Sequence, residues 1–339
     1  MNSVFNRDIK ISSPLRIGII GCGRAAERIY LPSLKNVNNI KITAAVDPVE
    51  DRRNLISGNF SGCTAYKSID ENLFNSVDAA IITTPPDSHI RLASEFLKRN
   101  KYVLVEKPLS LSLEGTQELK EIESSSKAGL MMGFNHRYWL PVVKMKEKLS
   151  LKEKINFSEI IFTSNYSKWN PVSFISSPLD DLGPHLFDLI TYIFDKRIVS
   201  VTANQPVENE INLKVKTDGN ESIVCRIAFE DETIRTIKIN REEKIFFIFF
   251  KSVRILPGKG FFRDFLDIKD RLTTKLLRKE FPFNISYKVQ LEKFFNFVKS
   301  GAIPIPGIDE GISSILAIES ARSSIINNGK EIYLDEFNS

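Results

Sequence analysis

The N-terminal fold is decided by the stretch LRIGIIGCGRAA at residues 15–26. Its apolar run predicts a strand that leads directly into a loop of the form G-x-G-x-x-A. Gly21 permits a tight turn, Gly23 lets a pyrophosphate approach the backbone, and Ala26 lets the next helix pack closely on the sheet. The first N–H groups of that helix, around Arg24 and Ala25, would then face the phosphates. The stretch predicts a dinucleotide-binding site.

An acidic residue follows the glycine loop at the distance that such a site requires. Asp47 ends the second predicted strand, where a carboxylate accepts hydrogen bonds from a ribose 2′-OH and repels a 2′-phosphate. Arg52 and Arg53 come a few residues later, and we interpret them as a solvated helix face. The sequence therefore predicts NAD as the cofactor in preference to NADP. Cys22, inside the loop, is interpreted as a small filler residue and not as a nucleophile.

Strands and helices alternate through the N-terminal part of the chain. Several apolar runs lack a polar face, as expected of parallel strands buried on both sides. These runs are Leu15–Ile20, Ile40–Val46, Asp78–Thr83, Tyr102–Val105 and Leu130–Phe134. Helices are predicted to begin at a capping box formed by Ser68 and Glu71, and to span residues 88–99 and 112–127. The alternation predicts an α/β fold for residues 14–134, with a doubly wound parallel sheet.

The pattern changes beyond about residue 150, where apolar and polar residues alternate with a period of two. Ile211, Leu213 and Val215 follow this alternation, as do residues 223–229, which predicts half-buried, antiparallel strands. Helices are predicted again over residues 287–299 and 311–327. We therefore expect residues 135–336 to form a second, α+β domain around a large and mostly antiparallel sheet.

Composition narrows the class of protein further. The 339 residues are 42% apolar and 26% charged, which is typical of a globular protein of two domains. A net charge of +5 is small for this length and does not call for nucleic acid. The three cysteines have no ligand or disulfide spacing, and neither a signal peptide nor a membrane-length apolar run is present. We expect a cytoplasmic protein without nucleic-acid partners, stable membrane association or a metal site.

Several blocks beyond the glycine loop resemble one known family. They read TTPPDSH at residues 83–89, VEKP at 105–108, GFNHRY at 133–138 and DLGPHLFD at 181–188. The E-K-P block followed by D-x-G-x-H-x-x-D is more specific than the glycines. Over nearly its whole length the chain resembles the Gfo/Idh/MocA oxidoreductases, which include glucose–fructose oxidoreductase and inositol dehydrogenase.

The resemblance implies a Rossmann domain, a C-terminal domain with an open-faced sheet, and hydride exchange between a nicotinamide cofactor and a sugar, cyclitol or related alcohol. It places the catalytic set at Lys107, Asp181 and His185. We expect cofactor contacts at Thr83, Thr84, Pro85, His89, Glu106 and Lys107, and substrate contacts at Asn135, His136 and Arg137. For His89, which follows Ser88 at a helix start, we favour a structural role. Many members carry a glycine-rich stretch before the aspartate, whereas this chain reads SSPLD at 176–180. This departure affects the predicted shape of the loop, and therefore the predicted substrate, more than the predicted reaction.

Chemical reasoning about the same residues agrees with that set. Oxidation of an alcohol needs a base for the hydroxyl proton and a positive group beside the developing alkoxide. Lys107 follows the carboxyl end of a predicted strand, where ligands bind in open α/β sheets. His185 has an imidazole that titrates near neutral pH. Asp181 lies one helical turn before it, and Pro184 suggests that Asp181 is the N-cap of that helix.

Two other functions and one segment stay open at this stage. The same fold would suit a reductase of an imine or a linear tetrapyrrole, and a non-catalytic NAD-binding sensor is a third possibility. Residues 245–283 are basic and rich in phenylalanine; we interpret them as a strand and an amphipathic helix on the sheet, in preference to a membrane or nucleotide-sugar contact. An open sheet face needs a cover, so we expect a homodimer or homotetramer built on the second domain.

Overall fold

The computed structural model describes residues 13–35, 37–149, 155–165, 177–231, 233–241, 244–249, 252–257 and 282–337. The chain divides into two compact units. The first unit comprises the residues up to 135 together with 283–312, and the second comprises residues 136–282 together with those from 313 onward. Residues 283–312 thus belong to the first unit, although more than a hundred residues of the second unit precede them in the chain. A division of the chain at a single point would assign them to the second unit instead.

A six-stranded sheet forms the centre of the first unit. Its strands are β1 (Leu15–Ile20), β2 (Ile40–Val46), β3 (Thr64–Tyr66), β4 (Ala79–Ile82), β5 (Tyr102–Val105) and β6 (Leu130–Met132). All neighbouring strands are parallel, in the order β3-β2-β1-β4-β5-β6. Every residue of β4 and β5 is buried, which confirms the interpretation of the unbroken apolar runs. The order reverses between β1 and β4, and ligands of such sheets bind outside the carboxyl ends of the strands at that point.

Helices connect these strands, as the alternation predicts. After a π-helical turn at Ala26–Tyr30 they are α1 (Leu31–Leu34), α2 (Glu50–Ser57), α3 (Glu71–Ser76), α4 (His89–Lys98) and α5 (Thr116–Ser125). The predicted capping box at Ser68 is wrong by two residues, because Asp70 is the N-cap of α3 and accepts a hydrogen bond of 2.8 Å from the backbone nitrogen of Leu73. The helix predicted from residue 112 begins only at Thr116.

A mixed sheet of eight strands forms the centre of the second unit. Its strands are β7 (Ile155–Ser164), β8 (Ile198–Val207), β9 (Glu210–Thr217), β10 (Ser222–Phe229), β11 (Arg235–Arg241), β12 (Lys244–Phe249), β13 (Ser252–Pro257) and β14 (Ile332–Tyr333). The order is β13-β12-β11-β7-β10-β9-β8-β14. Among the described strands only β7 and β10 are parallel neighbours, so the sheet is mostly antiparallel as expected.

Helices α6 (Leu140–Lys148) and α7 (Pro178–Phe194) belong to the same unit. Apolar residues of α7 pack on β7, β8, β9 and β10 and form the core with the inward side chains of those strands. On the other side of β10, Val224 is exposed and Arg226 is half-buried, which is the period-two alternation seen in the sequence. The oligomer expected from this face stays a prediction.

Two long helices, α8 (Pro282–Ser300) and α9 (Ile308–Ile326), complete the chain together with β14. Within the described residues, no helix is both long and apolar enough to span a bilayer. The apolar run after residue 244 is a strand, as predicted, but residues 258–281 lie outside the described residues, and the helix predicted there stays a prediction.

Candidate active site

The loop after β1 has the shape that its glycine motif predicts. Gly21 has a φ of +88°, in the left-handed region that L side chains rarely adopt. A Cβ at this position would also lie 2.8 Å from the backbone nitrogen of Thr84. The fold alone therefore requires a glycine here.

Gly23 differs, because no described atom would lie within 4 Å of a Cβ built on it. This open space adjoins the start of a helix whose first ladder bond runs from the nitrogen of Glu27 to the oxygen of Gly23, at 3.0 Å. The N–H groups of Ala25 and Ala26, in the first helical turn, precede that bond and lie outside the ladder. Backbone donors beside an open cradle are the features that hold a pyrophosphate at a helix N-terminus.

The helix after the loop carries one feature that the sequence did not reveal, the π-helical turn from Ala26 to Tyr30. Ala26 is fully buried, in agreement with the close packing that its small side chain permits. Tyr30 is also fully buried, and its hydroxyl donates a hydrogen bond of 2.7 Å to Oε1 of Glu106. A side chain from the glycine-loop helix is thus tied to the residue that follows β5.

Asp47 connects the end of β2 to the glycine loop. Its Oδ2 accepts a hydrogen bond of 2.8 Å from the backbone nitrogen of Cys22, and its Oδ1 accepts one of 2.8 Å from that of Val49. Each carboxylate oxygen has a second lone pair, so these bonds leave acceptor capacity for a ribose hydroxyl. Arg53 donates to the backbone oxygen of Asp47 at 3.3 Å, and therefore braces this turn more than it forms a solvated face.

Cys22 lies buried between these groups. Burial, with the nearby carboxylate of Asp47 as a smaller cause, raises the pKa of its thiol to about 12. A thiol in this state is inert near neutral pH, because the thiolate is the nucleophilic form. This agrees with the interpretation of Cys22 as a filler residue.

The turn after β4 is held against the glycine loop and the turn after β5. The hydroxyl of Thr83 donates to the backbone oxygen of Gly21 at 2.5 Å. The ring of His89 is buried, with Nε2 at 2.7 Å from the oxygen of Thr84 and Nδ1 at 2.8 Å from the oxygen of Pro108. Burial lowers the pKa of His89, which the two carbonyls only partly offset. Because both ring nitrogens face the backbone, His89 acts within the protein as a brace between two turns; Pro85 lies in the first of them.

Glu106 and Lys107 follow the last residue of β5. The buried carboxylate of Glu106 accepts from the hydroxyl of Tyr30 and, through Oε2, from the backbone nitrogen of Lys107 at 3.0 Å. Burial raises the pKa of Glu106, while these hydrogen bonds oppose the rise. Glu106 therefore fixes the backbone at Lys107, whose own side chain is half-buried. The predicted cofactor positions all follow the carboxyl ends of β1, β2, β4 and β5.

In the second unit, Asp181 and His185 lie four residues apart on α7 and so share one face of it. The prediction that Asp181 is the N-cap is wrong, because the helix begins at Pro178 and Ser177 is its N-cap. The carboxylate of Asp180 accepts from the nitrogen of Ser177 at 2.9 Å, so SSPLD is the cap of this helix. Asp181 therefore lies within the first helical turns and is half-buried.

His136 stacks on His185. Their ring centroids are 3.9 Å apart and the planes meet at 22°, while the edge of His136 meets the ring of Phe162 at 6.0 Å. Both imidazoles are buried. Two rings this close disfavour simultaneous protonation, because like charges repel strongly where water is excluded.

Arg137, predicted as a substrate contact, pairs with a carboxylate of its own unit. Its Nη2 lies 2.7 Å and its Nε 2.9 Å from Oδ1 of Asp188, and both side chains are buried. Its guanidinium also lies over the ring of Tyr192, at 5.0 Å. The guanidinium therefore braces the turn at Arg137 against α7 within the second unit, and its contact with a substrate stays a prediction.

We expect Arg137→Ala to lower the free energy of unfolding by about 3–5 kcal/mol, because it leaves the buried Asp188 carboxylate without its cation. Arg197→Ala is the matched control, since Arg197 pairs with Asp218 at 3.0 Å but is 89% exposed, and it should change little. Urea denaturation of both variants measures the difference. Equal small losses would show that Arg137 is not the brace described.

Asn135 is buried in the first unit. Its Nδ2 donates to the hydroxyl of Ser286 on α8 at 3.0 Å, and its buried Oδ1 has no hydrogen-bond partner among the described residues. The contact with α8 explains why the residue is buried. Whether it also meets a substrate stays a prediction.

The sequence assigned no role to two residues of these sites. Asp188 lies within one of the family blocks, but only its ion pair with Arg137 shows what it does. Tyr30 carried no signal in the sequence, because its role arises from a hydrogen bond to a residue distant in the chain. Within the described parts of the chain, no three acidic, histidine or cysteine side chains are grouped so as to hold a metal ion.

Comparison with known proteins agrees with this arrangement. A family model described as an oxidoreductase family with an NAD-binding Rossmann fold matches residues 15–134. Myo-inositol 2-dehydrogenase of Thermotoga maritima is 26% identical over 328 residues, which cover 92% of this chain and 96% of that protein. Glucose-6-phosphate 3-dehydrogenase of Bacillus subtilis is 27% identical over 220 residues, which cover 62% of this chain and 61% of that protein.

A solved structure extends the likeness of fold to the whole chain. The WlbA dehydrogenase from Bordetella pertussis, in complex with NADH and UDP-GlcNAcA, has a TM-score of 0.80 at 15% identity, and the match covers 96% of this chain and 99% of that one. The matched family model assigns residues 15–134 to the Gfo/Idh/MocA oxidoreductase family, and the Rossmann strand order of the first sheet agrees with that assignment.

Proposed function

We propose that this protein is an NAD-dependent dehydrogenase that oxidises a hydroxyl carbon, or reduces the corresponding keto carbon, of a sugar, sugar derivative or cyclitol. The observation that carries the proposal is the pairing of Asp181 and His185 on one face of α7. The residues between and beside them, 182–184 and 186–187, are buried and mostly apolar. A carboxylate and an imidazole retained in such a helix suit acid/base chemistry better than packing. One relative is named for inositol and another for a sugar phosphate, and these names support the proposed substrate class.

The first unit would hold the cofactor. NAD supplies a nicotinamide ring that accepts a hydride. Gly23 and the first turn of the following helix would hold its pyrophosphate, and Asp47 would accept from the ribose. Glu106 and His89 would position the backbone on both sides of Lys107.

The roles of the reacting groups follow from charge. The ammonium of Lys107 would stabilise the alkoxide as it develops, and His185 would take the hydroxyl proton. Asp181 would stabilise the imidazolium that forms. A non-catalytic sensor would have no use for these three residues together, which is why we favour an enzyme.

The two glycines of the loop give a paired prediction. We expect Gly21→Ala to lower the free energy of unfolding by at least about 1–3 kcal/mol, because its backbone is left-handed and its neighbour too close. Gly23→Ala should fold normally and weaken NAD binding by about tenfold or more, a loss of about 1.4 kcal/mol. Thermal unfolding and NAD titration of both variants measure this. A folded Gly23→Ala variant with normal NAD affinity would show that the pyrophosphate does not bind to this loop.

Asp47 provides a test of cofactor choice. We expect NAD to bind better than NADP by at least about tenfold, since like charges a few Å apart near a surface repel by about 1–4 kcal/mol. Asp47→Ser should narrow the gap, whereas Asp51→Ser, which removes an exposed carboxylate a few residues on, should leave it unchanged. Titration of both cofactors decides. An NADP preference in the parent protein would refute the role of Asp47.

The proposed function itself is tested by a substrate screen. The purified protein would be incubated with NAD and a panel of sugars, sugar acids, sugar phosphates, nucleotide-sugars and cyclitols, and NADH would be followed by its near-ultraviolet absorbance. At least one member should yield NADH. If none does, the panel would be repeated with NADH and the matching keto compounds, and failure in both directions would contradict the proposal.

A further inference from the structure

Arg235 begins β11 and is buried beside the candidate acid/base residues of its unit. It pairs with Phe162 of β7 and is only 6% exposed. Its guanidinium carbon lies 5.1 Å from the centroid of the Phe162 ring. The same ring meets His136, which stacks on His185. The guanidinium is thus connected through the rings of Phe162 and His136 to the proposed base.

The hydrogen bonds of Arg235 are incomplete. Its Nη1 donates to the backbone oxygens of Thr163 and, at 2.9 Å, Ile234. Its Nε is buried and has no hydrogen-bond partner among the described residues. A guanidinium carries five N–H donors, and a buried donor without an acceptor costs free energy. Two neutral carbonyls are poor compensation for burying this cation.

The charged groups around Arg235 likewise compensate only in part for the burial of its guanidinium. Asp181 is the carboxylate that raises the pKa of Arg235, but burial lowers it by more, to about 10. Among the described residues, the nearby carboxylate of Asp181 thus offsets only part of the cost of burying this cation. An additional anion would improve the electrostatic balance, and the planar fork of arginine suits carboxylate and phosphate oxygens alike.

We propose that Arg235 is a specificity-determining residue that binds an anionic substituent of the substrate, a carboxylate or a phosphate. This inference rests on the proposed function and narrows it. The substrate would be a sugar acid or a sugar phosphate, and neutral sugars or cyclitols would bind less well.

Binding can be measured without turnover. Glucose, glucuronate and glucose 6-phosphate would be titrated by calorimetry into the protein saturated with NADH, which blocks oxidation. At least one anionic sugar should bind about 10- to 100-fold more tightly than glucose, the range expected of a hydrogen bond to a charged group. Comparison of the two anions distinguishes carboxylate from phosphate. Equal affinity for all three sugars, or no binding of any, would overturn the inference.

Variants assign the preference to Arg235. Arg235→Gln should abolish the difference in affinity between anionic and neutral sugars, and Arg235→Lys, which keeps the charge but not the fork, should retain part of that difference. Lys238→Gln is the matched control, because Lys238 lies three residues along β11 and so on the opposite face. An anion preference that survives Arg235→Gln would contradict the role. If Arg235→Gln does not fold, the difference in affinity between anionic and neutral sugars, measured for the parent protein and for Arg235→Lys, still tests the role of Arg235.

The same samples separate the two proposals. Binding that depends on Arg235, together with failure of the substrate screen in both directions, would support the anion site and contradict the dehydrogenase. NADH formation from neutral and anionic sugars at equal kcat/KM would support the dehydrogenase and contradict the anion site.

Discussion

Lys107→Met should reduce kcat by about 100-fold or more while NAD affinity stays nearly unchanged. Methionine matches the length of lysine without its charge, so the variant removes the positive group that we place beside the alkoxide, a kind of loss that typically costs about 100- to 1,000-fold. The pyrophosphate would still be held by the loop after β1. Single-turnover rates and NAD titration separate the two quantities.

Lys98→Met is the control for that experiment, because Lys98 is exposed at the end of α4 and follows no strand. It should behave like the parent protein. Near-normal turnover of the Lys107→Met variant would show that Lys107 takes no part in the reaction. A loss of NAD affinity equal to the loss of kcat would instead make Lys107 a cofactor-binding residue.

His185→Ala should lower turnover by about 100- to 10,000-fold, the usual effect of losing a positioned acid or base. The neutral imidazole is the form that takes a proton in oxidation, and the charged form returns it in reduction. The parent's oxidation rate should therefore rise with pH through one ionisation near neutrality, and its reduction rate should fall through the same one. His185→Ala should flatten that limb.

Two variants accompany it. Asp181→Asn should move the limb to lower pH, since the imidazolium loses an anionic neighbour. Thr191→Ala, six residues farther along α7 and outside the proposed site, should leave the profile unchanged. If His185→Ala keeps the pH dependence of the parent, the proton passes to another group, and Lys107 would be the next candidate base.

The fold was largely predictable because its signals are local. Apolar runs such as Tyr102–Val105 mark strands buried on both sides, and the alternation around Ile211 marks half-buried ones. The helix starts were less predictable: Ser68 and Asp181 have the residue types of an N-cap, but Asp70 and Ser177 are the residues whose geometry caps the helix. Residues 283–312 could not be assigned, since their place in the first unit depends on contacts distant in sequence.

The candidate site was predictable only where it carries a motif. The loop of Gly21 and the E-K-P block have a fixed order along the chain, and the resemblance supplied roles for them. The ion pair of Arg137 with Asp188 and the burial of Arg235 under Phe162 depend on which strand and helix lie opposite each other. Such pairings leave no local pattern, so the sequence did not predict the ion pair of Arg137 and gave Arg235 no role.

Label transfer tests the proposed chemistry most directly. A substrate found in the screen would be prepared with deuterium on the carbon that is oxidised, and the reduced cofactor would be isolated and examined by mass spectrometry and NMR. One deuterium at C4 of the nicotinamide ring is expected from the deuterated substrate. In the control, with unlabelled substrate in D₂O, the reduced cofactor should carry no deuterium at that carbon. Reduced cofactor without the label from the deuterated substrate would contradict direct hydride transfer between substrate and NAD.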